Sequence, residues 1–221
     1  DGVHVHRVKR LEKNGISEQL IREMLAETPS RTMAADEAFN GYTCLEEGDA
    51  LEAGPYRLQA ISTPGHTPGQ MCFSILGTGA MILADHVLFD ITPNITDWEI
   101  LPDALGSYLE SLDKIDKYEV TLPLPGHRQP GDFHARVRAL KAHHKRRLEE
   151  CLRVIKGLGK ARLYDIAGNM TWKIRAAGWD DFPPAQRWFA LGECLSHIDY
   201  LKKRKLIEEK TALLNRAAKA Y

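Results

Sequence analysis

Three side chains, His66, Asp85 and His127, are of types that could act together on one metal-bound reaction centre. His66 sits at the apex of Ser62-Thr63-Pro64-Gly65-His66-Thr67-Pro68-Gly69. There Pro64 and Pro68 fix φ, and Gly65 and Gly69 open backbone conformations closed to other residues. Asp85 follows the apolar run Met81-Ile82-Leu83-Ala84, and His127 follows Leu122-Pro123-Leu124-Pro125-Gly126. A carboxylate and two imidazoles at strand ends suit Zn²⁺ or another borderline divalent cation. Such a cation lowers the pKa of a bound water towards neutrality and polarises a substrate oxygen. Spacing alone leaves a plainer reading open, because an Asp after a strand is often a turn-former and a Gly-His pair is often just a loop.

The elements that must position these groups are short. Tyr56–Ile61 and Met71–Leu76 read as strands on either side of the His66 turn, with further strands around Thr43–Leu45, Met81–Ala84 and Glu119–Leu122. Gly77-Thr78-Gly79 fits a hairpin turn. Residues 2–8 alternate in part (Val3, Val5, Val8) and predict a strand. Ser17 can cap a helix carrying Leu20, Ile21, Met24 and Leu25, and Pro102–Ile115 predicts a helix with Leu105, Leu109 and Leu112 on one face. From Phe133 to Leu158 the texture changes to one long helical spacing, Val137, Leu140, His144, Leu148, Leu152 and Ile155, which Gly157 and Gly159 end. Tyr164–Ala167 and Thr171–Arg175 follow. Then comes a helix opened by Asp181 and Pro183-Pro184 that buries Trp188, Leu191, Leu195 and Ile198. The expected organisation is a β-rich domain over 1–133 and a helical domain, with or without a small hairpin, over 134–221.

Composition narrows the class. A chain of 221 residues, 43% hydrophobic and 27% charged, suits a soluble protein of one or two domains with a real core. No apolar run approaches the roughly 18 residues of a membrane span, and no signal-peptide pattern is present. Cys44, Cys72, Cys151 and Cys194 are scattered and form no CxxC pair, so they read as reduced core thiols, and a cytoplasmic location follows. Net charge is zero, yet residues 134–160 hold nine Lys/Arg against Glu149 and Glu150, a local +7. That is a mild hint of an anionic partner, set against the plainer reading of a solvated helix face.

At these residues the sequence resembles a known family. Thr63-Pro64-Gly65-His66-Thr67-Pro68-Gly69 is similar to the third metal motif of the metallo-β-lactamase superfamily. Ala84-Asp85-His86-Val87-Leu88 resembles its bridging-aspartate motif, where Gly-Asp is commoner than Ala-Asp. Pro125-Gly126-His127 resembles the last ligand motif. The order and the intervals of 85 − 66 = 19 and 127 − 85 = 42 residues fit. The resemblance implies an α+β fold, the αββα sandwich, with a hydrolytic site of one or two metal ions. Zinc is the first expectation, and iron or manganese are alternatives. It further implies that His66 serves one metal, His127 the other, and Asp85 bridges, with His86 as a supporting residue beside the bridge. Asp181-Phe182-Pro183-Pro184 together with 191–201 resembles, more loosely, a winged-helix-like extension found in one branch. That branch includes lactamase-β-like proteins and relatives of the hydroxyacylglutathione hydrolases (glyoxalase II). His197 within this stretch reads as packing or cap.

One departure matters. The family's H-x-H-x-D-H motif, whose Asp is the usual general base, is absent. Only His4-Val5-His6 has the H-x-H spacing, and the positions for Asp-His hold Val8 and Lys9. Either His4 and His6 are a decayed first motif and low-ranking metal ligands, or they lie on the strand after a motif upstream of Asp1. The second reading is preferred, because residues 1–133 offer too few strands for two sheets. The resulting expectation is a metal-dependent hydrolase of a thioester, ester or phosphodiester. The alternatives are an RNA-cleaving member, for which Lys/Arg without interleaved aromatics is a weak signal, and a non-catalytic binding or scaffold protein with a degenerate site. The apolar C-terminal helices leave a homodimer open.

Overall fold

The computed structural model describes residues 2–28, 41–159 and 161–208. Their elements are α1 (Gly2–Lys13), α2 (Glu18–Ala26), β1 (Ala50–Ala53), β2 (Tyr56–Ser62), β3 (Met71–Ile75) and β4 (Ala80–Ala84). After them come α3 (Ala104–Ile115), β5 (Leu122–Pro125), α4 (Phe133–Leu158), α5 (Leu163–Gly168) and α6 (Pro184–Lys203). The fold is α+β, as expected.

The described residues form two compact units that interleave along the chain. One, the sheet unit, takes those of 39–95 and 103–146, and the helical unit takes those of 1–38, 96–102 and 147–221. This differs from a division at residue 133. α4 starts at Phe133 and the division falls within it, between Arg146 and Arg147, and α2 packs on α6, so the N-terminal helices group with the C-terminal ones.

In the sheet unit the strand order is β1-β2-β3-β4-β5, antiparallel through β4 and parallel between β4 and β5. It is one sheet among the described residues. The β1–β2 turn is Gly54-Pro55, with Ala53 opposite Tyr56. Gly54 at φ +60 followed by Pro, which cannot take a positive φ, fits a type II′ hairpin. β1, and not the run Thr43–Leu45, starts the sheet, since residues 41–46 carry no strand. The 76–79 loop joins β3 to β4, with Gly77 and Gly79 both at positive φ. The parallel β4–β5 pair needs a crossover, and α3 lies within it. Asp103 caps α3 by accepting the Gly106 N–H at 3.1 Å. Leu105, Tyr108, Leu112 and Ile115 are fully buried at helical spacing.

In the helical unit, residues 2–8 are helical, not extended. The reason lies in what α1 buries: Arg7 and Leu11, four apart, where an apolar pattern shows only the second. Arg7 Nε donates to Asp97 Oδ1 at 2.9 Å, and Arg10 pairs with Asp199 at 2.7 and 2.8 Å. Ser17 caps α2 as expected, accepting from the Leu20 N–H. α6 buries residues on every side, from Arg187 to Leu201, so it is the central helix of this unit. It starts at Pro184, and Asp181 lies in a short 3-10 turn before it instead of capping it. Arg187 Nη2 holds that turn through the carbonyls of Trp179, Asp180 and Phe182.

No strand occurs among the described residues after Pro125, so the hairpin of a winged helix is absent there. Thr171 is held instead by side chains: its N–H donates to Glu150 at 2.7 Å and its carbonyl accepts from Arg147 at 2.8 Å. Cys72, Cys151 and Cys194 are buried free thiols, and Cys44 is exposed, which corrects the expectation of a core thiol there. No helix among the described residues is long and apolar enough to cross a membrane.

Candidate metal centre

The site is assembled at the ends of β2, β4 and β5. After β2 the chain turns through 63–70, closed by the Thr63 N–H donating to the Gln70 carbonyl at 2.8 Å. Lys114 pins the base of the turn, donating to the Ser62 carbonyl at 2.8 Å and to Glu47 at 2.9 Å. Gly65 adopts φ +148 against α3, where a Cβ would lie 2.5 Å from Tyr108 Cβ and 2.6 Å from its Cα. Ser111 of the same helix donates to the Pro64 carbonyl at 3.0 Å. His66 is therefore set by backbone pressed onto a helix, which only glycine permits.

Asp85 is placed by an unusual residue before it. Ala84 ends β4 at φ +44, a left-handed conformation that costs an alanine about 1–2 kcal/mol. The resemblance to a motif in which glycine is commoner at this position has its physical reason here. β5 runs parallel alongside, with Ala84 opposite Pro125 and the Gly126 N–H donating to the Ala84 carbonyl at 2.8 Å. A Cβ on Gly126 would meet Asp85 Oδ1 at 2.7 Å. His127 follows directly, and Arg128 beyond it is again left-handed at φ +64.

These placements bring the three sequence-predicted groups together. His66 Nε2 lies 3.7 Å from Asp85 Oδ2, and His127 Nε2 lies 3.2 Å from Asp85 Oδ1. The carboxylate thus presents one oxygen to each imidazole. His66 Nδ1 is 3.0 Å from the Asn94 carbonyl, an acceptor, so Nδ1 carries a proton. If the ring is neutral, Nε2 then points a lone pair at a carboxylate oxygen, an arrangement that asks for a positive charge between them, either a proton or a cation. The separations suit a cation. Two ligands at Zn²⁺ bond lengths in a tetrahedral shell lie about 3.3–3.6 Å apart. The two imidazole–oxygen edges, 3.7 and 3.2 Å, fall on either side of that range, within about 0.1 Å of its ends. Among the described residues no group of three or more His, Cys, Asp or Glu side chains is arranged to hold a metal ion. The two edges fall on different oxygens of Asp85.

His86 is not part of the ligand set. It is fully buried, its ring edge-on to Tyr108 at 5.0 Å between centroids, and the Tyr108 hydroxyl donates to its carbonyl at 2.9 Å. Burial pushes its imidazole down to about 3, so it stays neutral and packs the wall behind Asp85. His4 and His6 belong to the helical unit, on a helix and not on a strand. His4 stands edge-on to Trp188, and His6 Nε2 faces Asp97 at 3.9 Å. Sequence reading did not find the roles of Ala84, Asn94 and Tyr108. A backbone carbonyl and a helix surface leave no pattern, and only the Ala-for-Gly departure marked the strained position.

Comparison with known proteins places the chain. Residues 3–127 match the metallo-beta-lactamase superfamily, and the chain belongs to that family. Among solved structures it is similar to a metallo-beta-lactamase family protein from Thermus thermophilus. That similarity has a TM-score of 0.73 and 27% identity, covering 90% of this chain and 59% of that one. Among curated proteins it is 22% identical to the lactamase-like protein adaB of Aspergillus niger, over 69% of this chain and 57% of the relative. It is 26% identical to the atrochrysone carboxyl ACP thioesterase AacuM of Aspergillus aculeatus, over 53% of this chain and 36% of the relative. The chain spans little more than half the length of adaB.

Proposed function

We propose that this chain carries part of the centre of a metal-dependent hydrolase that cleaves a thioester or a related ester. The observation behind the reading is the pair of imidazoles set on the two oxygens of Asp85, one of them with its tautomer fixed by a carbonyl. Zinc is the first candidate, with iron or manganese next; His66 and Asp85 would hold one ion, and His127 and Asp85 a second. A metal bound there would supply Lewis acidity, easing the ionisation of water and polarising a substrate carbonyl. The chain's own residues orient it: Gly65 and Ser111 fix the His66 turn, Asn94 fixes its tautomer, and Gly126 leaves room for the Asp85 carboxylate. The thioesterase names among the relatives favour a thioester over a phosphodiester.

The test is zinc content and affinity after desalting, by mass spectrometry of the metal and competition with a chromophoric chelator. Asp85→Ala removes a donor from both edges and is expected to weaken zinc binding at least about tenfold, with His66→Ala and His127→Ala each weakening it less. Equal zinc binding by the parent chain and Asp85→Ala would overturn the reading. Release of free thiol from a simple acyl thioester then separates a catalyst from a binding protein that keeps the metal without turnover.

A further inference from the structure

The basic run on α4 is a feature that the hydrolase reading does not use. Residues 133–146, the part of α4 in the sheet unit, hold five Lys/Arg and no Asp/Glu. Two of the five are occupied within the unit. Arg136 donates to the carbonyls of Leu88 and Ile91, and Lys141 pairs with Asp113 of α3. His134 likewise faces Asp116 at 2.8 Å. The other three are exposed: Arg138, Lys145 and Arg146. Among the described residues these three make no side-chain hydrogen bond or ion pair. The packed face of the helix lies opposite, with Val137, Leu140 and His144 buried. Arg138 and Lys145 are seven residues apart, so they stand in line two turns and about 10 Å from one another along the helix, with Arg146 beside Lys145. Ala135, Ala139 and Ala142 run alongside, all exposed. Glu149, one turn beyond Lys145, is where the surplus ends.

We propose that this face docks an acidic α-helix of a partner protein, with carboxylates two turns apart meeting Arg138 and Lys145 and the alanines letting the two helices approach closely. Charge complementarity sets the sign. The two-turn repeat sets the form, because Glu or Asp side chains seven apart on a second helix recur at the same spacing of about 10 Å. Other anionic surfaces fit this face less well. Phe133, Val137 and Leu140 are all buried, so residues 133–146 offer a bilayer nothing large and apolar to insert. The same stretch has no Tyr or Trp to stack on a base, and three cations release few counterions from a nucleic acid. The metal centre takes no part in the docking.

The probe is a synthetic, alanine-rich helical peptide of about 20 residues with glutamates one heptad apart, acetylated and amidated at its ends. The full chain would be titrated with it and followed by backbone amide NMR. Saturable shifts at 135–146 are expected, and the same peptide with lysine in place of glutamate is expected to leave those amides unmoved. A peptide of identical composition with its glutamates adjacent is expected to bind at least about threefold more weakly, since only one cation can then be met. Reversing both charges, Arg138→Glu with Lys145→Glu, changes solvated side chains and keeps the fold, and is expected to weaken binding at least about tenfold. Arg138→Lys is expected to stay within about twofold of the parent chain, because the charge is kept. Lys173→Glu, an exposed cation of the helical unit, is expected to change nothing. Failure of the peptide to bind saturably, or equal binding by the parent chain and the double variant, would overturn the proposal. Single-stranded RNA of about 20 nucleotides binding more tightly than the peptide, and losing that binding in the double variant, would overturn it in favour of a nucleic-acid surface.

Discussion

The placing of His66 and Asp85 depends on two backbone positions, Gly65 and Ala84, whose substitution should act in opposite directions. Gly65 lies so close to α3 that any side chain collides with Tyr108 Cα and Cβ, which are helix backbone and its root, not a flexible tip. Gly65→Ala is expected to cost about 3 kcal/mol, combining overpacking with a strained φ. Ala84 is the reverse case. Its φ of +44 already carries the cost of a left-handed alanine, and glycine removes that cost while adding roughly 0.5–1 kcal/mol of unfolded-state entropy. Ala84→Gly is therefore expected to leave stability unchanged or raise it by about 0.5 kcal/mol, and Ala84→Val to lower it. Urea midpoints at fixed slope read both. A clear loss on Ala84→Gly would show that the left-handed backbone is not what this site requires. Gly65 could be picked out in the sequence because a Pro-Gly-His-Thr-Pro-Gly run fits little besides a tight, rigid turn. Ala84 could not, since nothing about an alanine announces its φ.

At the scale of elements, legibility followed the way each one buries its face. α4 was readable to the residue because apolar side chains keep helical spacing over all of Phe133–Leu158. α3 was readable for the same reason, and β4 by its apolar run, whereas β5 lies at Leu122–Pro125 and shares only Leu122 with the expected Glu119–Leu122. α1 was not, because its buried face is Arg7 and Leu11, and the visible alternation of Val3, Val5 and Val8 pointed to a strand. What holds α1 is charge. The Asp97 side chain is fully buried and takes Arg7 at 2.9 Å and Arg10 at 3.4 Å, while Gly192 of α6 leaves no room for a Cβ beside Thr96 and Arg7. Removing one member of a buried pair strands the other, at a cost of about 3–5 kcal/mol. Asp97→Ala is expected to lose about that much, and Asp97→Asn less, since an amide still accepts from Arg7. Circular dichroism during urea unfolding measures the loss. If Asp97→Ala unfolds with the parent chain's midpoint, the arginines find water instead, and the network is not what anchors α1.

For the molecule as a whole, acid is the condition that both units should feel. His86 of the sheet unit and His197 of the helical unit are each fully buried, and burial lowers both imidazole pKa values, that of His86 to about 3. The native state therefore resists a proton that the unfolded chain takes up near 6.5. Linkage then sets the sign. The unfolded state binds more protons below that pH, so stability is full above about 6.5 and falls as pH drops, with His86 contributing down to about 3. Each such histidine costs about 1.4 kcal/mol per pH unit once the unfolded chain is fully protonated, so His86 alone accounts for about 2 kcal/mol between about pH 7 and 5. His197 acts in the same direction. His86→Leu is expected to shrink that loss between about pH 7 and 5 by about 2 kcal/mol, whatever it does to stability at neutral pH. Urea unfolding at the two pH values checks it, because the difference between them removes the packing cost of the substitution. A variant with the same acid-induced loss as the parent chain would mean that His86 is protonated in the native state, and so reached by water behind the Asp85 carboxylate.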